Sequence, residues 1–180
     1  MNKCKITAIG SYCPKKRIPN SYFEEIIDTS DEWIFQRTGI KERRKVSENE
    51  TNLSMSIKAV EKMCEIYNKK LDDVDMIICA TSTSEFSFPN LASQIQDAFK
   101  IKNCGVIDIY NACAGYTYAL ILGNSLIKSK TVKKILIITS EVLSNVIDYS
   151  DRNSCILFGD ASTSTLLEKS SEALDGILSS

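Results

Sequence analysis

The sequence has no histidine in its 180 residues. The commonest general base and metal-ligating side chain is therefore missing from any chemistry these residues perform. It also lacks a C-x-x-C pair, although it carries seven cysteines: Cys4, Cys13, Cys64, Cys79, Cys104, Cys113 and Cys155. An odd number of single cysteines, several in apolar runs, argues for reduced thiols and against a disulfide framework or a zinc site, so no metal is expected. No apolar run approaches the ~18 residues a membrane span needs, and the start MNKCKITAIG lacks a signal peptide's long apolar region. Cytoplasm is the expected location. A formal charge of −1 leaves no basic excess to draw in nucleic acid. There is no repeat, low-complexity tract or linker. What remains is 43% hydrophobic and 25% charged, ordinary for one soluble domain with a real core.

The stretch VIDIYNACAGYTYALILGNSLIK, Val106 to Lys128, organises the rest. Val106, Ile107 and Ile109 form a β-rich apolar run. From Tyr116 the apolar positions, Ala119, Leu120, Gly123, Leu126 and Ile127, take helical spacing. The small residues Ala112, Ala114 and Gly115 stand at the join, around Cys113. A thiol there lies beside the first free N–H groups of a helix, where a developing anion is stabilised. This spacing fits a nucleophile; it fits equally a small buried hydrophobe, as most free cysteines are.

Other segments follow in order. Lys5 to Tyr12 reads as a strand, KKRIP as a basic loop, and Asn20 or Ser21 as the cap of a short helix bearing Phe23, Ile26 and Ile27. In TSDEWIFQRTGIKERR, Thr29 and Glu32 fit a capping box and Gly39 a helix-ending left-handed residue. Trp33 and Arg37 are four apart and share a face. An indole beside a guanidinium suits a flat ring joined to a phosphate, and also suits a Trp on the core under a snorkelling Arg. A packing helix is expected with Leu53, Ser56, Ile57, Val60, Met63, Cys64 and Tyr67 on its inner face. MIICA (76–80) and KILIIT (134–139) read as strands buried on both sides. Phe86 and Phe88 interrupt the polar loop that follows MIICA, lining a pocket or plugging a hole. Gly159-Asp160 reads as a turn, and Gly176-Ile177-Leu178 as the start of a further strand. Strands alternating with helices predict an α/β fold with a mainly parallel sheet covered on both faces. Reactive loops gather at the carboxyl ends of such strands, so Phe88, Cys113 and Arg152 are expected to converge.

IDTSDEWIFQRTGIKER, FPNLASQIQ, NACAGYTYAL and DRNSCILFGD, in this order and spacing, resemble the signatures of β-ketoacyl-acyl-carrier-protein synthase III, the condensing enzyme that starts fatty acid synthesis. The resemblance covers essentially the whole chain. It implies one half, the N-terminal one, of a thiolase-like fold made of two similar α/β halves, with residues 1–180 as that half-domain and the C-terminal half outside them.

The resemblance also implies roles. Cys113 matches the acylated nucleophile at the start of a buried central helix. Trp33 and Arg152 match the pair that sandwich the adenine of coenzyme A, with Thr29 nearby, and Arg37 matches a basic residue near its phosphates. Phe88 matches the aromatic that reaches across a homodimer to cap the partner's acyl pocket. Acyl-coenzyme A and malonyl-acyl carrier protein would be substrates, with no further cofactor. Departures accompany the match. The family's histidine and asparagine for decarboxylative condensation, and a glycine-rich oxyanion segment, belong to the second half. ASTST follows FGD where a glycine-containing run is usual, and Tyr110 and Asn111 stand where smaller residues are common. The resemblance therefore leaves three functions open: an incomplete synthase III, an acyltransferase of secondary metabolism, or a non-catalytic assembly or regulatory half.

Overall fold

The computed structural model describes residues 3–171 and 176–177. Its elements are β1 (Lys3–Tyr12), β2 (Lys16–Pro19), α1 (Ser21–Glu24), α2 (Asp31–Thr38), β3 (Glu42–Lys45), α3 (Asn52–Tyr67), β4 (Met76–Ala80), α4 (Leu91–Ala98), β5 (Gly105–Ile109), α5 (Gly115–Lys128), β6 (Lys134–Val142) and β7 (Asp160–Ser170). A five-stranded sheet runs in the order β1-β7-β6-β4-β5. β4 pairs parallel with both β5 and β6, while β7 runs antiparallel between β6 and β1. Four strands thus point one way and β7 the other, a mixed and mainly parallel sheet as expected.

The continuous apolar runs are explained by burial on both faces. Ile77, Cys79, Leu136 and Ile138 join a core with Val60, Met63, Leu91 and Ile95 from α3 and α4. Their alternating neighbours Ile78, Ile135 and Ile137 meet Ala119 and Ile127 of α5 on the other side. One face of the sheet therefore carries two helices and the opposite face one. α5 buries Gly115, Ala119, Gly123, Asn124 and Ile127 but leaves Tyr118 53% exposed. The buried central helix implied by the resemblance is, within these residues, covered on one side.

Several local expectations are corrected. KKRIP is no loop: β2 pairs antiparallel with the charged β3. The inner face of α3 keeps Ser56, Val60 and Met63 but takes in Met55 and Ala59, while Tyr67 is exposed; a capping box of Thr51 and Ser54 starts the helix. Gly176 and Ile177 form no strand; Ile177 N–H donates to the Cys4 carbonyl at 2.9 Å, and Leu178 lies outside the described residues.

Gly10 shows how tightly α3 sits on the sheet. A β-carbon there would lie 2.4 Å from the Ala59 carbonyl oxygen and 2.7 Å from Met63 Cβ, neither able to swing aside. Gly10→Ala is expected to cost about 1–3 kcal/mol, read from the urea midpoint. In Gly123→Ala the closest atom is the tip of Leu167, 2.7 Å away, and the cost should be smaller.

Candidate active site

In register across the sheet, Ala80 of β4 is opposite Ile109 of β5 and Thr139 of β6. The chain leaves β5 at that level and folds into a tight elbow. Asn111 has φ −144°, ψ 26°, and Ala112 takes the left-handed φ of 42°, uncommon for a residue with a side chain. A 3-10 turn, Ala112–Ala114, follows, with Ala114 N–H donating to the Asn111 carbonyl at 3.1 Å, and runs directly into α5. The small residues are needed because the helix start presses on β4: a β-carbon on Gly115 would be 3.0 Å from Ala80 Cβ. Cys113 stands exposed on this elbow, immediately before the helix and not within it.

Around the Cys113 thiol is a cavity of about 290 Å³ lined by Ala80, Tyr116, Thr139, Glu141 and Thr163 among others. A larger cavity of about 620 Å³ shares Tyr116, Thr139 and Thr163 and extends along β1 to Ile9 and Ser11. Its wall is hydroxyl-rich, with Tyr116 Oη and Thr165 Oγ1 3.2 Å apart. Cys13 is exposed as well, but the other five cysteines are differently placed. Burial pushes the thiols of Cys4 and Cys104 up to about 11, and also raises those of Cys64, Cys79 and Cys155. Such thiols stay protonated and inert at neutral pH.

Two residues at this edge escaped the sequence reading. Glu141 lines the Cys113 cavity and accepts bonds from Ser82 N–H (2.8 Å) and the Thr83 hydroxyl (2.6 Å). Asn52, buried at the start of α3, donates from Nδ2 to Thr81 Oγ1 at 3.0 Å and to the Ser140 carbonyl at 3.2 Å. Together they pin the loop that follows β4. Glu141 had a signal, a carboxylate closing an apolar strand at the edge where loops react; Asn52 had none.

The second group of candidates lies on α2. Ser30, not Thr29, caps this helix, its Oγ accepting Trp33 N–H at 3.1 Å, and Glu32 instead accepts from Gln36. The extended backbone at Ser30 puts its hydroxyl, rather than that of Thr29, over the free N–H. Gly39 ends the helix in the left-handed conformation at φ 70°, as expected. Arg37 and Arg152 both stack on the indole of Trp33, their guanidinium carbons 4.6 and 4.0 Å from its centroid. Trp33 packs against a small core of Phe23, Ile34, Cys155 and Ile156, as the packing reading expected, while two guanidiniums lie on its ring. Thr29 Oγ1 and Arg152 Nε are buried and make no hydrogen bond. The loop bearing Arg152 is shaped by Asp148 and Asp151, whose carboxylates are held below their usual range by bonds from Ser150 and Ser154.

The convergence expected of Phe88, Cys113 and Arg152 is not found: of the three, only Cys113 lines the cavity. Trp33, Arg37 and Arg152 come together, but they do not line the Cys113 cavity, and neither does Phe88. Phe88 is 90% exposed and Phe86 55%, so within this chain these rings neither line a pocket nor plug a hole. They project from the loop beside β5, the strand at one edge of the sheet.

The fold is shared with known proteins. The family model for 3-oxoacyl-[acyl-carrier-protein] synthase III matches residues 107–180. Beta-ketoacyl-[acyl-carrier-protein] synthase III 2 of Bacillus anthracis is 51% identical over 168 residues, 93% of this chain and 51% of that protein. The crystal structure of 3-oxoacyl-[acyl-carrier-protein] synthase III from Aquifex aeolicus VF5 matches at a TM-score of 0.90 with 41% identity, covering 94% of this chain and 55% of that one. The priming β-ketosynthase of the R1128 polyketide pathway matches at 0.89 with 29% identity, covering 93% and 50%. The chain thus spans about half the length of the relatives it matches. Along nearly all of its own length, in sequence and in fold, it is similar to the β-ketoacyl-acyl-carrier-protein synthases III, thiolase-like condensing enzymes.

Proposed function

We propose that these residues form the acyl-accepting, N-terminal half of a synthase III-type condensing enzyme that starts fatty acid synthesis in the cytoplasm. The observation that carries the reading is Cys113, exposed in a cavity on a strained elbow at the tip of α5, where the sheet's carboxyl edge opens. In the first half-reaction the Cys113 thiolate attacks the thioester carbonyl of an acyl-coenzyme A. A tetrahedral oxyanion forms, the carbon–sulfur bond to coenzyme A breaks, and the departing thiolate takes up the proton that Cys113 gave to solvent. In this reading the backbone N–H of Cys113 itself meets the developing charge; a single such donor is typically worth about a hundredfold in rate or more.

Trp33 and Arg152 are the adenine grip in this reading, and Arg37 meets the phosphates. Both guanidiniums already lie on the indole, and Arg152 Nε and Thr29 Oγ1 are buried donors without a hydrogen-bond partner. A planar purine would enter between Trp33 and Arg152, which requires that their 4.0 Å contact open. In the second half-reaction, loss of carbon dioxide from malonyl-acyl carrier protein leaves an enolate that attacks the acyl group on Cys113. Neutral donors must meet that enolate, and with no histidine among the 180 residues they come from outside them, on the same polypeptide or another. The open face of α5 and the large cavity beside it are where such a second half would pack. Two copies joined at the β5 edge would let the exposed Phe88 close the partner's acyl pocket.

The test is intact-mass analysis after acetyl-coenzyme A, on the polypeptide or complex that contains this chain. An acetyl adduct on Cys113 is expected; its absence in the complete enzyme would sink the reading. Trp33→Ala should raise the KM for acetyl-coenzyme A about tenfold through lost stacking while leaving kcat nearly unchanged.

A further inference from the structure

We propose that Arg43 is the positioning residue that sets the gap between Trp33 and Arg152. This inference rests on those two side chains gripping the adenine. Arg43 lies on β3, only 6% exposed, and its guanidinium carbon is 4.8 Å from the centroid of the Phe23 ring. The contacts of its bonding nitrogens are neutral oxygens. Nε donates to the Ile156 carbonyl at 2.7 Å, Nη2 donates to the same oxygen, and Nη1 donates to Asn20 Oδ1. A buried cation held by neutral acceptors costs more than an apolar residue of similar volume, so packing alone does not account for it.

What the guanidinium does is join the two walls of the grip. On one side, Asn20 relays its hold to α2: Nδ2 donates to Asp31 Oδ1 at 2.7 Å and to the Ile40 carbonyl at 2.7 Å. Asp31 is the first residue of α2, two positions before Trp33. On the other side, Ile156 lies four residues beyond Arg152, and Cys155 N–H returns to the Asp151 carbonyl at 3.0 Å, closing the turn that carries Arg152. Phe23, under the guanidinium, stacks on Tyr149 of the same loop with centroids 6.5 Å apart and planes 15° from parallel. A planar fork with a fixed spread suits this task, because it holds two elements at one separation; an ammonium on a flexible stem does not.

The experiment compares two acyl donors on the enzyme that contains this chain. Acetyl-coenzyme A carries the adenosine; S-acetyl-pantetheine reaches Cys113 without it. In Arg43→Lys, the rate of Cys113 acetylation at low acetyl-coenzyme A should fall about tenfold through KM, because a misplaced grip loses stacking geometry. The saturated rate, and the rate with S-acetyl-pantetheine, should not change. Equal loss with both donors, or no loss with either, overturns the assignment alone. A wild-type enzyme that treats the two donors alike removes the adenine grip itself, and the assignment with it. Should Arg43→Lys fail to fold, Asp31→Ala cuts the same chain of bonds at its exposed end. It should weaken acetyl-coenzyme A selectively, and unchanged KM in that variant overturns the proposal.

Discussion

Cys113→Ser is expected to abolish acylation, with the adduct from acetyl-coenzyme A falling at least about a thousandfold, as when a covalent nucleophile is removed from an enzyme. The reason is specific to this chain. A serine hydroxyl ionises far less readily than a thiol and reacts only when a base takes its proton. No histidine exists in these residues to do so. Cys113 is exposed, so its replacement should leave the melting temperature unchanged, which separates lost chemistry from lost structure. Cys13→Ser, at the other exposed thiol, is the matched control and should acylate normally. A Cys113→Ser enzyme that still forms a stoichiometric adduct would move the nucleophile elsewhere.

How much of this was legible in the sequence depends on the distance over which each signal acts. The buried strands MIICA and KILIIT and the change of period at Tyr116 are local patterns, and the sheet and α5 followed from them. Residues Trp33 and Arg37 share a helix, so four-residue spacing was enough to bring them together. Arg152 joins them from more than a hundred residues away, and only the family resemblance pointed to it. Thr29 was chosen over Ser30 as the cap because both fit the composition of a helix start, and the choice turns on the backbone angles of one residue. Phe88 does not join Cys113: it is 90% exposed on the loop after β4, whose first residues are held by Glu141 and Asn52 through bonds between segments far apart in sequence. Arg43 was hidden for the same reason. In the sequence it is one charge in a charged run, and only folding places it against Phe23 and the Ile156 carbonyl.

Asp160→Ala should be among the most damaging changes outside Cys113, costing about 3–5 kcal/mol, because three buried neutral donors lose their acceptor at once. Sequence alone marks Asp160 as half of a turn with Gly159. In the fold it is the first residue of β7, only 2% exposed, and its carboxylate gathers three donors from two other segments. Oδ2 accepts Val46 N–H at 2.8 Å and the Ser144 hydroxyl at 2.6 Å, and Oδ1 accepts Ser144 N–H at 2.9 Å. Val46 follows β3, and Ser144 lies in the turn after β6, so one side chain clamps both to the start of β7. Alanine leaves those donors buried and unsatisfied, and each orphan costs about 1–3 kcal/mol. At about 2–4 °C per kcal/mol for a chain of this size, the melting temperature should fall by roughly 10 °C. Asp160→Asn keeps the shape and one acceptor oxygen but turns an amide toward a donor, and should lose about half as much. Gly159 and Ala161, its two neighbours, line the Cys113 cavity, so acylation should decline in Asp160→Ala at least as far as the folded fraction does. A urea midpoint within about 1 kcal/mol of wild type would show that the three donors find water or other partners, and that the clamp is geometric coincidence.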